Sequence, residues 1–590
     1  MNTANKKDGI SPKSRYKQFI PIVLPIALGI AVYINALPNG FVFDDMTTIV
    51  HNAHIKDLGK NFPAFFNLDY FKIAQAEASY RPIATLSYFL IYALFNLNPL
   101  AYHLTSLLLH IFNVIGVYVL VDILQHSKKS SLIAALVFAC HPVLSETVNC
   151  ISYSEDLFAT LFYLLALVLY IKAGAKENRF DLPVYFFSLV SFFAALLSKE
   201  MAITLPVIIF LYDVTQKEAP QTNGFIKQAV AAIDKQKFYY IGFALVALFY
   251  LVLRFKILVN PTESFSHSRA GLLERILFLP DLLFDYIKLV LFPLDLNAEY
   301  SFAYPDRFFA FSNLFSFIVI MAIIVGSFFI YKRSKGIFFG IGWFIITLLP
   351  VSNLIEINNP IAERYLYLPL VGFCMVISIF IHKIPARSDL ARSKQLARLK
   401  YSILIGLLIF YSLVTVARNP VWKDNFSVWA NTVEKSPDNP IVHGGLGLAY
   451  QERGFLDEAI RELTTAIKLG PNMAKNHYNI GHAYEEKGLF ENAIDAYKKA
   501  VELNPDYTDA YFNLANLYMR LQLRKDAIDA YRRVIELDPA DLEAYNNLGV
   551  AHAMQGEIGR AVGLWEKVLE MDPNNQKATD NIAKAKKITD

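Results

Sequence analysis

Asp44 and Asp45 stand side by side in NGFVFDDMTTIVHN, just after an apolar run that ends at Leu37. Adjacent acids at such an end are either solvated or, because their flanks are apolar, partly buried carboxylates fit to do work. Further ionisable groups recur at the ends of apolar runs. Ser79-Tyr80-Arg81-Pro82 closes the loop that the two acids open. His141-Pro142 and Glu146 end the third long run, with Glu155 and Asp156 just beyond. Lys199-Glu200 separates two runs, Arg254 ends another, and Glu363-Arg364-Tyr365-Leu366-Tyr367 opens a later one. Ionisable groups at such depths are costly and are functional candidates by default. Taken singly, each is equally an interfacial anchor or an interhelical pair.

The elements that must position these groups are membrane helices. Of 590 residues, 55% are hydrophobic and 18% charged, and the apolar residues concentrate before residue 417 in runs of roughly 20 residues. A formal charge of +4, with the basic residues in short loops, does not point to nucleic acid. Cys140, Cys150 and Cys374 lack metal-ligand spacing and indicate neither a disulfide framework nor a zinc site. Basic clusters mark the cytoplasmic side: Lys6 to Lys17, Lys128–Lys129, Lys172 to Arg179, Lys217 to Lys237, Lys332 to Lys335 and Lys383 to Lys400. Keeping them inside sets spans near 19–37, 102–124, 131–150, 156–172, 182–198, 200–213, 238–255, 309–331, 336–354, 362–382 and 401–417. That is about eleven spans, with 83–97 and 275–293 as helices at the outer surface. The N-terminal tail, 1–18, is then cytoplasmic and the C-terminus external. Segments 38–101 and 256–308 face the exterior with every ionisable group named above, and that shared face favours one site.

Beyond residue 417 the chain becomes periodic. Pro437, Pro471, Pro505, Pro539 and Pro573 are 34 residues apart, the tetratricopeptide (TPR) period. Gly447, Gly481, Ala515 and Gly549 recur in register, as do Ala459, Ala493, Ala527 and Ala561, and Tyr450, Tyr484, Tyr518 and His552. This predicts a linker or partial repeat over 418–438, four repeats over 439–574 and a closing helix over 575–590, enough to bury a continuous core. The expected fold class is all-α: a polytopic bundle over 19–417 followed by a TPR solenoid. Asn479, Asn513, Asn547 and Asn581 also recur at this period. A side-chain amide both donates and accepts, so the ladder either holds a peptide backbone or packs the inner face.

FVFDD after the first span, then SYRP, HPVLSE with its following acidic pair, LSKE, ERYLYLP and a repeat array together resemble the transmembrane-and-TPR O-mannosyltransferases. Equally similar are their prokaryotic relatives among the C-type (GT-C) membrane glycosyltransferases. The resemblance runs over nearly the whole chain. It implies transfer of a sugar, most simply a mannose-like hexose, from a polyprenyl-phosphate carrier to a protein hydroxyl on the outer or luminal face. Asp44 and Asp45 would then supply a general base and its orienting partner or a metal ligand. Arg81, Lys199, Arg254 and Arg364 would face the donor phosphate, with Tyr80, His141, Glu146, Glu155, Asp156, Glu200 and Tyr367 in support. One departure stands out. Tyr153-Ser154-Glu155-Asp156 occupies the place of a Gly-Arg-Ala-Asp-like segment in animal members, so that arginine is missing.

Beyond the lipid-linked donor no cofactor is implied, and a divalent metal stays open. The expected partners are that donor, membrane lipids and a protein or peptide in the TPR groove. A glycolipid or cell-wall acceptor keeps the same enzyme class. A non-enzymatic TPR scaffold needs no such gathering of acids and bases, and a transporter would carry ionisable groups mid-span rather than at span ends. The expected location is a multi-pass membrane protein with the TPR part periplasmic or extracellular, or luminal in a eukaryote. Short loops and few repeats point to a prokaryotic plasma membrane.

Overall fold

The computed structural model describes residues 12–56, 59, 81–174, 181–216, 225–257, 271–301, 311–355, 357, 359–383 and 390–589. Among them every regular element is helical, so the all-α class holds. The chain divides into two compact units, Met1–Val428 and Trp429–Asp590.

The first unit is a bundle of α1 (Pro12–Tyr33), α2 (Pro82–Phe95), α3 (Pro99–Gln125), α4 (Lys128–Cys140), α5 (Ser154–Ala173), α6 (Leu182–Ser198), α7 (Leu205–Thr215), α8 (Phe225–Val252), α9 (Leu272–Leu291), α10 (Phe311–Tyr331), α11 (Lys335–Leu348), α12 (Leu370–Lys383) and α13 (Leu390–Arg418). Five helical runs are long and apolar enough to cross a bilayer: Pro99–Gln125, Ile151–Ala173, Phe225–Phe255, Asn313–Tyr331 and Arg398–Trp422. The pair Lys128–Cys140 and Pro142–Asn149, bent by 52°, makes a sixth if it is one span. Five more apolar helices, Pro21–Ala36, Pro82–Phe95, Leu182–Ser198, Lys335–Val351 and Leu370–His382, are shorter. At 1.5 Å per residue they reach roughly 20–26 Å, less than a hydrocarbon core of about 30 Å. By length and composition, then, the described residues do not reach the expected count of about eleven. The expected span 200–213 breaks into a 3₁₀ turn, Glu200–Thr204, and the 11-residue α7.

Small residues let these helices touch. Gly340 on α11 and Gly372 on α12 meet back to back: a Cβ on Gly340 would lie 2.8 Å from the Gly372 carbonyl oxygen, and one on Gly372 would run into that of Gly340. Such contacts replace the hydrophobic drive that a lipid surround cannot supply. Beside them Trp343 and Tyr163 are fully buried edge to face.

In the second unit helix pairs follow the 34-residue period: Pro440–Glu452 with Leu456–Leu469, Ala474–Glu486 with Phe490–Leu503, Thr508–Arg520 with Arg524–Leu537, and Leu542–Met554 with Ile558–Met571, then Gln576–Thr589. The recurring glycines are points of close approach. A Cβ on Gly447 would meet Leu463 at 2.6 Å, and one on Gly481 would meet Tyr497 at 2.8 Å. Ala459, Ala493, Ala527 and Ala561 are all fully buried. The turn inside each pair needs a left-handed residue. Gly454, Gly488 and Gly556 supply it at φ 79°, 80° and 84°, and Gln522 takes the equivalent place at φ 63°.

Candidate functional site

The two acids have opposite environments because of one backbone turn. Phe43 is left-handed, φ 53°, which is rare for a bulky residue. Its N–H donates to Asn425 Oδ1 at 2.9 Å and its ring packs against Trp422, contacts that hold it there. The turn folds Asp45 inward, where it is fully buried. Asp45 Oδ1 accepts from Ser152 N–H at 2.6 Å and from the Cys150 thiol at 3.5 Å. Its Oδ2 accepts from Val42 N–H at 3.1 Å and Ile151 N–H at 3.3 Å. Burial pushes the Asp45 carboxyl up to about 6, against the pull of the Ser152 and Val42 amides. Asp44, one residue earlier, is exposed, and the Tyr153 hydroxyl donates to its Oδ2 at 3.1 Å. Asp45 thus anchors the turn and Asp44 presents the open carboxylate.

Buried amides fix the turn to the helix ends around it. Asn39 Nδ2 donates to Asn149 Oδ1 and to the Asn419 carbonyl, each at 3.0 Å. Asn149 Nδ2 donates to Asn419 Oδ1 at 2.9 Å, and Asn419 Nδ2 to Asn35 Oδ1 at 2.7 Å and the Val32 carbonyl at 2.8 Å. This clamp joins the end of α1, the bent segment after α4 and the end of α13. Gly40 N–H bonded to the Lys423 carbonyl, 2.9 Å, continues it.

From Asp44 a chain of charged and aromatic groups runs from contact to contact. Arg364 stacks over the Tyr153 ring at 4.4 Å and over Tyr365 at 5.1 Å. Its Nη1 donates to Glu146 Oε1 at 2.7 Å and its backbone N–H to Glu146 Oε2 at 2.8 Å. Lys199 lies 5.7 Å over the other partner of Arg364, the Tyr365 ring, and pairs with Asp156 at 2.6 Å and Glu155 at 3.0 Å. Glu155 also pairs with Arg81, which reaches Glu200 at 3.2 Å; Glu200 in turn meets Arg254 at 3.3 Å. Arg254 sits on a π-helical turn, Leu253–Ile257, that ends the α8 run, and also donates to the Tyr250 hydroxyl at 2.7 Å. Asp44, Arg364, Lys199, Arg81 and Arg254 are therefore brought into one connected set with Glu146, Glu155, Asp156 and Glu200.

His141 and Tyr367 lie apart from it. Both His141 ring nitrogens are engaged, Nε2 donating to the Val290 carbonyl at 3.1 Å and Nδ1 accepting from Val143 N–H at 3.3 Å. The Tyr367 hydroxyl bonds within the core to His110 Nδ1 at 2.8 Å and Asn113 Nδ2 at 3.3 Å. Their expected place as donors to a ligand is not what the geometry offers; they tie helices together. Tyr80 lies outside the described residues.

Sequence reasoning missed Tyr153, the asparagine clamp and Glu299. The Glu299 side chain is nearly buried and accepts from Asn359 Nδ2 at 3.2 Å. Burial lifts its carboxyl to about 7; Arg364 pulls it down, while Glu146 and Asp44 push it further up. A second carboxyl therefore belongs to the electrostatic field around Asp44. Among the described residues no group of three or more His, Cys, Asp or Glu is placed to hold a metal ion.

In the repeat unit, Asn513 Nδ2 donates to the Tyr478 hydroxyl at 2.9 Å and Asn547 Nδ2 to Asn516 Oδ1 at 3.4 Å, each partner lying in the preceding repeat. Asn479 is buried and Asn581 half-buried on the closing helix. These bonds turn part of the asparagine ladder toward its neighbours. A polar cavity between repeats is lined by His482, Glu485, Glu486, Asn513, Asn516 and Arg520.

A helical membrane bundle carrying a buried–exposed acid pair and a cation–carboxylate set, followed by a TPR solenoid, defines a class with specific counterparts. Residues 82–249 match the family of dolichyl-phosphate-mannose-protein mannosyltransferases, and 486–522 and 512–576 match tetratricopeptide-repeat families. The chain is 26% identical over 473 residues to protein O-mannosyl-transferase F38B6.6 of Caenorhabditis elegans, covering 78% of this chain and 64% of that protein. It is 25% identical to human protein O-mannosyl-transferase TMTC3 over 481 residues, 76% of this chain and 51% of that protein. This chain spans about half to just under two thirds of these relatives. A crystal structure of MamA is 29% identical over 26% of this chain and 89% of its own, with a TM-score of 0.25. The chain resembles the protein O-mannosyl-transferases named above, and its apolar helices are those of a multi-pass membrane protein.

Proposed function

We propose that the protein transfers a mannose-like hexose from a polyprenyl-phosphate carrier to a hydroxyl of a protein acceptor, with Asp44 as the general base. The observation that carries this reading is the asymmetry of the acid pair. Asp45 is consumed by four donors, while Asp44 is exposed, oriented by Tyr153 and linked through that ring to Arg364 and the cations beyond it. The acceptor hydroxyl gives its proton to Asp44 as its oxygen attacks the anomeric carbon. The bond from that carbon to the phosphate oxygen breaks, and the carrier leaves as polyprenyl phosphate. A carboxylate within hydrogen-bond reach of the attacking hydroxyl contributes about 10²- to 10⁴-fold. Fixed cations stabilise the charge that develops on the leaving phosphate. An apolar cavity of about 180 Å³ lined by Leu283, Val290, Ile320, Phe344 and Phe373, among others, suits part of an isoprenoid chain.

The TPR unit is the proposed holder of the acceptor or of a partner, through the polar cavity and the asparagines, on the external side of the membrane. The reading is tested with purified protein, polyprenyl-phosphate mannose and peptide acceptors. Mannosyl peptide and free polyprenyl phosphate should form in equal amounts. Carrier release without any glycosylated peptide would reject a protein acceptor, and absence of both would reject the enzyme.

A further inference from the structure

Four cations belong to the connected set that begins at Asp44, but they are not equally available to an anionic ligand. Lys199 is 4% exposed and held by Asp156 and Glu155, themselves 4% and 8% exposed. Arg364 is held through two bonds by Glu146, which is 1% exposed. None of these carboxylates has solvent to swing into, and removing one partner of a buried pair leaves a costly lone charge. Glu200 differs in each respect. It heads the 3₁₀ turn Glu200–Thr204, its side chain is 40% exposed, and it bridges Arg81 at 3.2 Å and Arg254 at 3.3 Å. Charge-assisted bonds ordinarily fall near 2.7–2.9 Å. The bonds at 2.6 and 2.7 Å made by Lys199 and Arg364 are close to that range, and the Glu200 bridge is looser. Arg81 Nε is buried with no partner among the described residues, so its guanidinium has bonding capacity left.

We propose that Glu200 occupies the seat of the donor's phosphate between Arg81 and Arg254, and must swing out for the lipid to bind. The proposal rests on the reading of the protein as a lipid-phosphate-sugar transferase and names the subsite and its internal competitor. Charge arithmetic favours a swap over an addition. Arg81, Lys199 and Arg254 face Glu155, Asp156 and Glu200, three cations against three acids. A sugar-bearing phosphodiester carries one negative charge, as a carboxylate does, so exchanging it for Glu200 preserves the balance. Cleavage leaves a monoester, whose second ionisation near pH 6 adds charge. Two guanidiniums, each able to take phosphate through paired N–H bonds, meet that charge. Glu200 is then a positioning residue that returns to expel the spent carrier.

The test measures binding without any sugar transfer, on full-length protein in detergent with undecaprenyl phosphate and undecaprenol as probes. Glu200→Gln should bind undecaprenyl phosphate roughly five- to tenfold tighter, and Arg81→Gln or Arg254→Gln at least tenfold weaker, with undecaprenol unchanged throughout. Glu200→Asp, too short to bridge both arginines, should tighten phosphate binding by a smaller factor and serves if the glutamine variant fails to fold. Weaker or unchanged phosphate binding in both Glu200 variants would make Glu200 a structural ion pair and overturn the proposal. If these shifts appear but no mannose transfer is ever detected, the subsite stands and the proposed reaction falls.

Discussion

The Tyr153 hydroxyl donates to Asp44 Oδ2 at 3.1 Å while the face of the same ring carries the Arg364 guanidinium at 4.4 Å. One side chain therefore aims the exposed carboxylate and supports the nearest cation. Tyr153→Phe removes the first role and keeps the second. It should lower kcat about tenfold with little change in the donor's KM, since one oriented hydrogen bond is worth about 1.4 kcal/mol here. Tyr153→Ala should also raise the donor's KM. Equal kinetics for the two variants, measured side by side, would remove the double role.

Asp45→Asn is expected to act on stability. Val42, Ile151 and Ser152 N–H groups converge on its two oxygens. An amide turns an NH₂ toward at least one of them, costing about 1–3 kcal/mol for a buried unsatisfied donor. Thermal unfolding in detergent should show a lowered midpoint for Asp45→Asn and little change for Asp44→Asn. The opposite ranking would mean that the buried and exposed acids have been assigned the wrong way round.

The turn was legible in the sequence only up to a point. An acid pair with apolar flanks announces itself, but which acid points inward depends on Phe43 being left-handed and on Ser152, more than 100 residues away. Tyr153, Asn39, Asn149 and Asn419 carry no local spacing signal, because their partners come from distant segments. His141 and Tyr367 read as ligand donors because hydropathy gives depth along a helix and not the direction of a side chain. The repeats were legible throughout, since each 34-residue unit restates the same packing of small residue against large.

Glu299 gives the segment around it, residues 296–301, a pH dependence. Its carboxyl is lifted by burial from an ordinary 4.5 to about 7, with Arg364, Glu146 and Asp44 acting on it. A raised carboxyl stabilises the fold in its neutral form, so this contribution is complete below pH 4.5 and is lost as pH rises through about 7. Hydrogen exchange over residues 296–301 should quicken between pH 4.5 and 7 beyond the intrinsic rate. Glu299→Gln should abolish that excess; an excess that persists would place the titrating group elsewhere.

Gln522 holds a left-handed conformation where Gly454, Gly488 and Gly556 stand in the other repeats. An L residue there costs about 1–2 kcal/mol, part of which glycine returns as chain entropy. Gln522→Gly should therefore strengthen the third repeat by up to about 1 kcal/mol. Slower hydrogen exchange across 508–537 in the full-length protein would register it, and faster exchange would show that the glutamine side chain contributes more than its backbone costs.

Asp44→Asn tests the central claim most directly. The variant should keep its thermal midpoint and its affinity for the lipid donor, while mannosyl transfer from polyprenyl phosphate to peptide falls by about 10²- to 10⁴-fold. Turnover at the parent rate in a well-folded Asp44→Asn protein would contradict the account.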